Sequence, residues 1–381
     1  MNEISKLIEL LKDDKDYVDL VASNFLEFSI DNNLAIPKSL ILKSIEDYFE
    51  NHIYKPDSKG LISARNSISG YYQEYNLEVG PDEVIITAST SESYNQIFSN
   101  FTNPNEEILF PNPCYPLFEY LAAYSKVIPK FYRLDEVNKW KIDIESIRQS
   151  ITKKTRGIVI ISPNNPTGSI VTQEELDEIE SIARDHNLFI IFDEVFSEFR
   201  TTEIFPRPFG KRGVDIFILN GISKMLSLPD LKLAWIVVLG RNKNKFINIL
   251  ETSNDTYLNA NYLTQFIFPT LMPYRTSIAE QINILLNINR NSLQEIVRLN
   301  PKHFVSNIGN GGIHSILKIN TDLNEENLVI KILKQKKISV HPGYFYDIES
   351  PKHYSHIVIS LLKRPDIFKK ALEELAEICT L

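Results

Sequence analysis

A lysine that follows an apolar strand is the residue in this sequence best suited to covalent chemistry. Lys224 ends the run NGISK at 220–224, and Leu226 and Leu228 follow it closely. Apolar surroundings disfavour the ammonium form of a lysine, which leaves a neutral amine that can attack a carbonyl group. A solvated surface lysine is the ordinary alternative. Lys224 is therefore a candidate nucleophile.

An aspartate ends a second strongly apolar strand. Asp193 follows the run Leu188–Phe192, and a carboxylate in apolar surroundings is costly unless a cationic partner compensates its charge. Asp193 could instead be the N-cap of a helix. Since the apolar run before it indicates a buried strand, we expect a cationic group next to Asp193.

Two other strand ends carry polar groups. Ser89, Thr90 and Ser91 lie between a predicted strand and a predicted helix, where backbone N–H groups and the helix dipole favour an anion such as phosphate. Helix capping is the simpler role for these hydroxyls. The run SPNNPTG at 162–168 is stiff and polar and can hold the amide of Asn165 rigidly, although Asn, Pro and Gly also compose ordinary turns.

Short apolar runs that alternate with helix-periodic segments must position these residues. This alternation is typical of an α/β protein with a mainly parallel sheet, in which ligands bind beyond the carboxyl ends of the strands. The helix after the third predicted strand opens with a capping box formed by Thr172 and Glu175. The predicted strands are Glu83–Thr87, Glu107–Phe110, Gly157–Ile161, Leu188–Phe192, Asp215–Leu219 and Leu233–Leu239.

The pattern changes beyond Pro273. A long helical stretch at Thr276–Arg298 precedes short strands at Ser315–Ile319 and Ile357–Leu361, and a last helix opens at Pro365. We expect a large domain at 40–273 and a smaller α+β domain at 274–381, on which the N-terminal residues 1–39 pack, or else these residues pack across a dimer.

Composition excludes several classes of protein. The chain has 381 residues, 41 Lys plus Arg and 49 Asp plus Glu, so its net charge of −8 repels nucleic acid. Two cysteines without metal-ligand spacing predict neither a disulfide framework nor a metal site. The N-terminus lacks an apolar signal region, and no apolar run is long enough to span a membrane. We expect a cytoplasmic protein.

Taken together, these motifs resemble the pyridoxal-phosphate-dependent aminotransferases of fold type I, over residues from about 18 to 375. Beside the four loops above, the matching segments are Tyr54…Gly60-Leu61…Arg65, NPCYPLFEY at 112–120, FDEVF at 192–196 and HPGYF at 341–345. The resemblance implies a seven-stranded, mainly parallel sheet, a pyridoxal 5′-phosphate cofactor and a homodimer. It also implies transfer of an amino group between an amino acid or amine and a keto acid.

The resemblance also assigns roles to residues. Lys224 forms the Schiff base with the cofactor and moves the substrate proton. Asp193 faces the pyridine nitrogen, which is the cation expected next to this carboxylate. Tyr54 reaches the phosphate of a neighbouring subunit. The other cofactor-binding residues that it implies are Ser89, Thr90, Ser91, Tyr115, Asn165, Phe196, Ser223 and Lys232.

Three positions depart from the family pattern. Phe196 stands where the family usually has a tyrosine that donates to the cofactor's O3′, and Lys232 stands where an arginine binds phosphate. Val358 aligns with the arginine that binds the substrate's α-carboxylate. Either another cation replaces this arginine, such as Arg364 or a residue near Asn24, or the substrate is not an ordinary α-amino acid.

Two other functions fit the same motifs less well. The cofactor also supports β-elimination and decarboxylation, and fold alone does not distinguish these reactions from transamination. A sensor that binds the cofactor without catalysis is less compatible with the presence of Lys224, Asp193 and Asn165.

Overall fold

Three β-sheets, of eight, four and two strands, organise the chain in a computed structural model, which describes residues 3–23, 25, 36–208 and 213–380. The strands are β1 Val18–Asp19, β2 Val84–Thr87, β3 Glu107–Asn112, β4 Ile128–Asp135, β5 Lys141–Ile142, β6 Thr155–Ile161, β7 Phe189–Asp193, β8 Ile216–Gly221, β9 Ala234–Leu239, β10 Phe304–Val305, β11 His314–Asn320, β12 Ile338–Ser339, β13 His341–Pro342 and β14 Tyr354–Ser360.

Helices cover the sheets and connect their strands. They are α1 Glu3–Leu11, α2 Lys38–Asn51, α3 Ile62–Gln73, α4 Thr90–Phe101, α5 Leu117–Tyr124, α6 Ile144–Ser150, α7 Gln173–His186, α8 Ile222–Met225, α9 Lys243–Tyr257, α10 Tyr262–Leu271, α11 Arg275–Leu299, α12 Glu325–Lys336 and α13 Pro365–Thr380. Within the described ranges, no helix combines the length and the apolar character that crossing a bilayer requires.

The large sheet has the order β2-β9-β8-β7-β6-β3-β4-β5. Strands β8, β7, β6, β3 and β4 run parallel to their neighbours in this series, and β9 is antiparallel to both β8 and β2. The expected mainly parallel sheet is confirmed, with the two-residue β5 as an eighth strand at the edge. The parallel strands end together at one edge, which places the loops that follow β6, β7 and β8 side by side.

Burial on both faces explains why most of these strands were predictable. Every residue of β7, β8 and β9 is buried, as continuous apolar runs in a parallel sheet indicate. The predicted capping box of α7 is confirmed, because Thr172 accepts from the backbone N–H of Glu175 and Glu175 accepts from that of Thr172. Strand β4 was not predicted, since its residues alternate between buried and exposed positions near the sheet edge.

The smaller sheet has the order β10-β11-β14-β13 and is antiparallel. The 25-residue α11 leads from the large sheet to this unit and packs on α13. At the N-terminus, α1 packs on α12, and β1 pairs in parallel with β12. Helix α1 and strand β1 therefore pack on the smaller unit.

Candidate active site

A cavity of 480 Å³ opens at the carboxyl ends of β7 and β8, between the large sheet, the smaller sheet and the N-terminal segment. Most of the predicted site residues meet there. Those that line the cavity are Ser89, Thr90, Ser91, Tyr115, Asn165, Asp193, Phe196, Ser223 and Lys224.

Asp193 is the last residue of β7, and its carboxylate is buried. One oxygen accepts from the Tyr94 hydroxyl at 2.8 Å, and the other accepts from the backbone N–H of Val195 at 3.1 Å. Burial nevertheless raises the pKa of Asp193 to about 6, because these donors do not replace the lost hydration. No cationic group of the described chain pairs with Asp193, so a protonated ring nitrogen in the cavity would complete its surroundings.

Lys224 lies on α8, a single turn that follows β8 directly. Its Nζ atom lies 4.7 Å from the centre of the Phe25 ring, and burial lowers the pKa of its ammonium group. Both features agree with the amine reactivity predicted from the apolar sequence around it. Strand pairing between β7 and β8 opposes Asp193 to Leu219, close to the turn that carries Lys224.

The hydroxyl cluster lies at the N-terminus of the 12-residue α4. Ser89 is the N-cap of this helix and accepts from the backbone N–H of Glu92 at 3.1 Å. The capping role is therefore present, and the same residue also faces the cavity together with Thr90 and Ser91. A helix N-terminus with hydroxyl groups is a suitable place for phosphate oxygens.

The loop after β6 gives its two adjacent asparagines different tasks. Asn164 is buried and binds the Thr167 hydroxyl at 2.9 Å, which fixes the loop, while Asn165 faces the cavity. The side-chain oxygen of Asn165 is buried and has no partner in the described chain. At Gly168 the φ of +68° and a carbonyl oxygen of Gly311, 2.4 Å from where a Cβ would lie, permit only glycine.

Several predicted residues do not line this cavity. Tyr54 is 63% exposed, and its ring contacts Tyr262. Lys232 is exposed, and Arg364 is exposed and paired with Asp366. Val358 is buried in β14. Asn24 lies outside the described residues.

Sequence reasoning missed several residues of the site. Tyr94, the donor to Asp193, lies on the buried face of α4, and the one local signal for its role is a hydroxyl among apolar residues. Three residues of the smaller unit, His314, His341 and Tyr346, line the opposite wall of the cavity. His341 and Tyr346 lie within or beside the HPGYF motif, but no role followed from the motif alone.

A buried polar network supports the site from behind. Glu194 pairs with Arg207 at 2.5 Å and accepts from the Asn220 amide at 3.1 Å. Glu194 follows Asp193, and Asn220 lies in β8 four residues before Lys224. Arg207 also donates to the Tyr71 hydroxyl at 3.1 Å. The network therefore ties the end of β7 to the end of β8.

The edge of this sheet carries a buried lysine, a carboxylate that lacks a cation and a hydroxyl cluster at a helix N-terminus. Together these features define a pyridoxal-phosphate enzyme of fold type I. The chain matches the family model for aminotransferase class I and II over residues 18–361. It belongs to that family, and it is a pyridoxal-phosphate-dependent transaminase.

Named relatives and solved structures agree with this family. Glutamate-pyruvate aminotransferase AlaA of Escherichia coli is 31% identical over 332 residues, which cover 84% of this chain and 81% of the relative. A crystal structure of an aminotransferase from Escherichia coli has a TM-score of 0.87 and 28% identity, covering 100% of this chain and 95% of that one. Alanine aminotransferase from Pyrococcus furiosus, at 23% identity and a TM-score of 0.88, covers 99% and 95% and shows the shared fold.

The cavity fits this cofactor on structural grounds. The buried carboxylate of Asp193 lacks a cation. The side-chain oxygen of Asn165 is buried and has no hydrogen-bond partner in the described chain. If the Asn165 amide is oriented with its N–H group toward the cavity, it offers a donor to the oxygen on the pyridine ring.

Proposed function

We propose that Lys224 is the nucleophile and proton carrier of the transamination and that Asp193 binds the cofactor's ring nitrogen. The observation that supports this most directly is that one cavity contains both residues together with the hydroxyl cluster and Asn165. Bound pyridoxal phosphate supplies an aldehyde for amines and a ring that accepts electrons. The amino donor is an amino acid or amine, and the acceptor is a keto acid.

The protein groups around the cofactor have distinct tasks in this proposal. The carboxylate of Asp193 stabilises a proton on the ring nitrogen, and the Tyr94 hydroxyl holds that carboxylate in place. The amine of Lys224, whose pKa burial lowers, takes and returns the proton of the substrate carbon.

Ser89, Thr90, Ser91 and Ser223 bind the phosphate, since all four are hydroxyl residues that line the cavity. Asn165 donates to the ring oxygen, and Tyr115 stacks on the ring. Phe196 packs beside the ring without donating to it. Lys232 remains a proposed phosphate ligand, although its side chain is exposed in the single chain.

We further propose that the active unit is a homodimer in which Tyr54 contacts the phosphate of the partner's site. Tyr54 lies outside the cavity of its own chain, as a residue that serves a second copy would. Phe49 and Ile53, which are 76% and 84% exposed, provide apolar area beside it. A shared site would then require both chains.

A biosynthetic role in the cytoplasm completes the proposal. The chain has two cysteines, of which Cys114 is buried and unpaired, as is usual in reducing compartments. Its relative AlaA is named for glutamate and pyruvate, so L-glutamate and L-alanine are the first donors to test.

A half-reaction followed by absorbance tests the proposed roles. The protein loaded with cofactor is mixed with each amino compound, and the change from the aldehyde-derived to the amine form of the cofactor is recorded. Lys224→Ala should abolish the change, and Lys245→Ala, at an exposed lysine, should not. Release of ammonia without a keto acid would contradict transamination, and full activity of Lys224→Ala would contradict the assignment.

A further inference from the structure

The wall of the cavity that belongs to the smaller sheet carries histidines rather than a strong cation. In the antiparallel pairing of β11, β13 and β14, His314 lies opposite Ser360, and Val358 lies opposite both Ile316 and His341. Directly paired residues project to the same face of a sheet, as do residues two apart on one strand. His314, His341 and Val358 therefore share one face, and the two histidines reach the cavity.

Burial disfavours the charged form of both imidazoles. Burial, and then the nearby His341, Lys224 and Lys363, lower the pKa of His314 to about 3. Burial also lowers the pKa of His341, whose Nδ1 lies 3.1 Å from the Tyr346 hydroxyl. A neutral imidazole has one donor and one acceptor, and the Nδ1 atom of His314 is buried without a partner in the described chain.

No lysine or arginine of the described chain lies on this wall to pair directly with an anion. Among the described residues that line the cavity, Lys224 is the one lysine or arginine, and it is committed to the cofactor. Arg290 binds the carbonyl oxygen of Gly312 and, like Lys363, does not line the cavity. The sequence from 17 to 37 contains no lysine, arginine or histidine, so the residues near Asn24 cannot supply the missing cation.

We propose that His314 and His341 form a subsite for an uncharged hydrogen-bonding group, so that the preferred substrate is an amine carrying an amide or hydroxyl where an amino acid carries its α-carboxylate. This inference depends on the proposed function, because it concerns the same cavity. An amide has donors and an acceptor that match two neutral imidazoles and the Tyr346 hydroxyl. A carboxylate has only acceptors and would bury a second anion in the cavity that also takes the cofactor phosphate.

The half-reaction balances without any other reagent. An amino amide loses its C–N bond and the proton of its α-carbon and gains a carbonyl oxygen. The nitrogen, this proton and the electron pair would pass to the cofactor's aldehyde carbon, whose oxygen would leave as water, and one water would supply the new carbonyl oxygen. A keto acid then reverses these changes and takes the amino group.

Paired substrates and variants test the subsite. The natural protein should convert L-alaninamide at least about tenfold more efficiently than L-alanine, as one or two neutral hydrogen bonds allow. Val358→Arg should reverse this preference, and His341→Phe should reduce use of the amide by about tenfold. His353→Phe is the matched control, since His353 is exposed and lies outside the cavity.

A binding measurement separates this inference from the proposed function. Calorimetry on the cofactor-loaded protein should show tighter binding of propionamide than of propionate, and Val358→Arg should reverse the order. A preference for L-alanine and propionate in the natural protein would overturn the subsite and leave the proposed function intact. If neither amine changes the absorbance, the proposed roles fail, and the calorimetric comparison alone decides the subsite.

Discussion

Asp193 shows how a single residue connects folding with cofactor binding. Its carboxylate is buried with two neutral donors, and burial raises its pKa to about 6. The folded chain without cofactor therefore holds a proton on Asp193 more strongly than the unfolded chain does. A positively charged ring nitrogen would reverse this effect, because an opposite charge favours the ionised carboxylate.

The cofactor-free protein should lose stability through Asp193 as the pH rises. The raised pKa contributes stability below about pH 4, and this contribution is lost as the pH passes through 6, to a total of about 3 kcal/mol. Asp193→Asn cannot ionise, so its free energy of unfolding relative to the natural protein should increase from pH 4 to pH 8. Denaturant unfolding across this range measures the difference. A difference that does not change with pH would show that the carboxylate is not the source.

Phe196 should alter the pH at which the bound cofactor changes colour. A tyrosine here would donate to O3′ and stabilise the deprotonated form, and Phe196, which lines the cavity, lacks that donor. The absorbance titration of the cofactor-loaded natural protein should therefore have a higher midpoint than that of Phe196→Tyr. An equal or lower midpoint in the natural protein would refute this role.

At the scale of elements, the network of Glu194, Arg207 and Asn220 holds two strand ends together. Removing one partner of a buried ion pair leaves an uncompensated charge. Arg207→Met should therefore lower the free energy of unfolding by about 3–5 kcal/mol, and adding Glu194→Gln should restore part of it.

An exposed ion pair provides the comparison for this network. Arg148 and Glu178 lie 3.0 Å apart, and both side chains are about half exposed. Arg148→Met should cost less than about 1 kcal/mol. Thermal unfolding of the three variants tests the network, and similar losses for Arg148→Met and Arg207→Met would exclude a special role for it.

The elements also show what a single sequence can predict. Strands such as β7 and β8 are buried on both faces, so their apolar runs identify them locally. The polar residues at their ends then follow from the common direction of parallel strands. The wall with His314 and His341 depends on the register of β11, β13 and β14, which pair segments that are distant in the chain. No local sequence pattern predicts that register. The hydrogen bond from Tyr94 to Asp193 also joins residues that are distant in the chain, so no local pattern predicts it either.

At the scale of the whole molecule, the proposed dimer predicts a concentration of apolar contacts around α2. Phe49 and Ile53 are largely exposed in the single chain. Replacing both with aspartate should yield a monomer in sedimentation velocity, because a charge in an apolar interface is costly. The monomer should also bind the cofactor more weakly, since Tyr54 would no longer reach a partner. A natural protein that sediments as a single chain would contradict the shared site.

The covalent bond proposed between the cofactor and Lys224 can be trapped chemically. The cofactor-loaded protein is reduced with borohydride and digested, and the peptides are analysed by mass spectrometry. A pyridoxyl group should be found on Lys224, and this adduct should be lost in Lys224→Ala. An adduct on any other lysine, with Lys224 unmodified, would refute the assignment of Lys224.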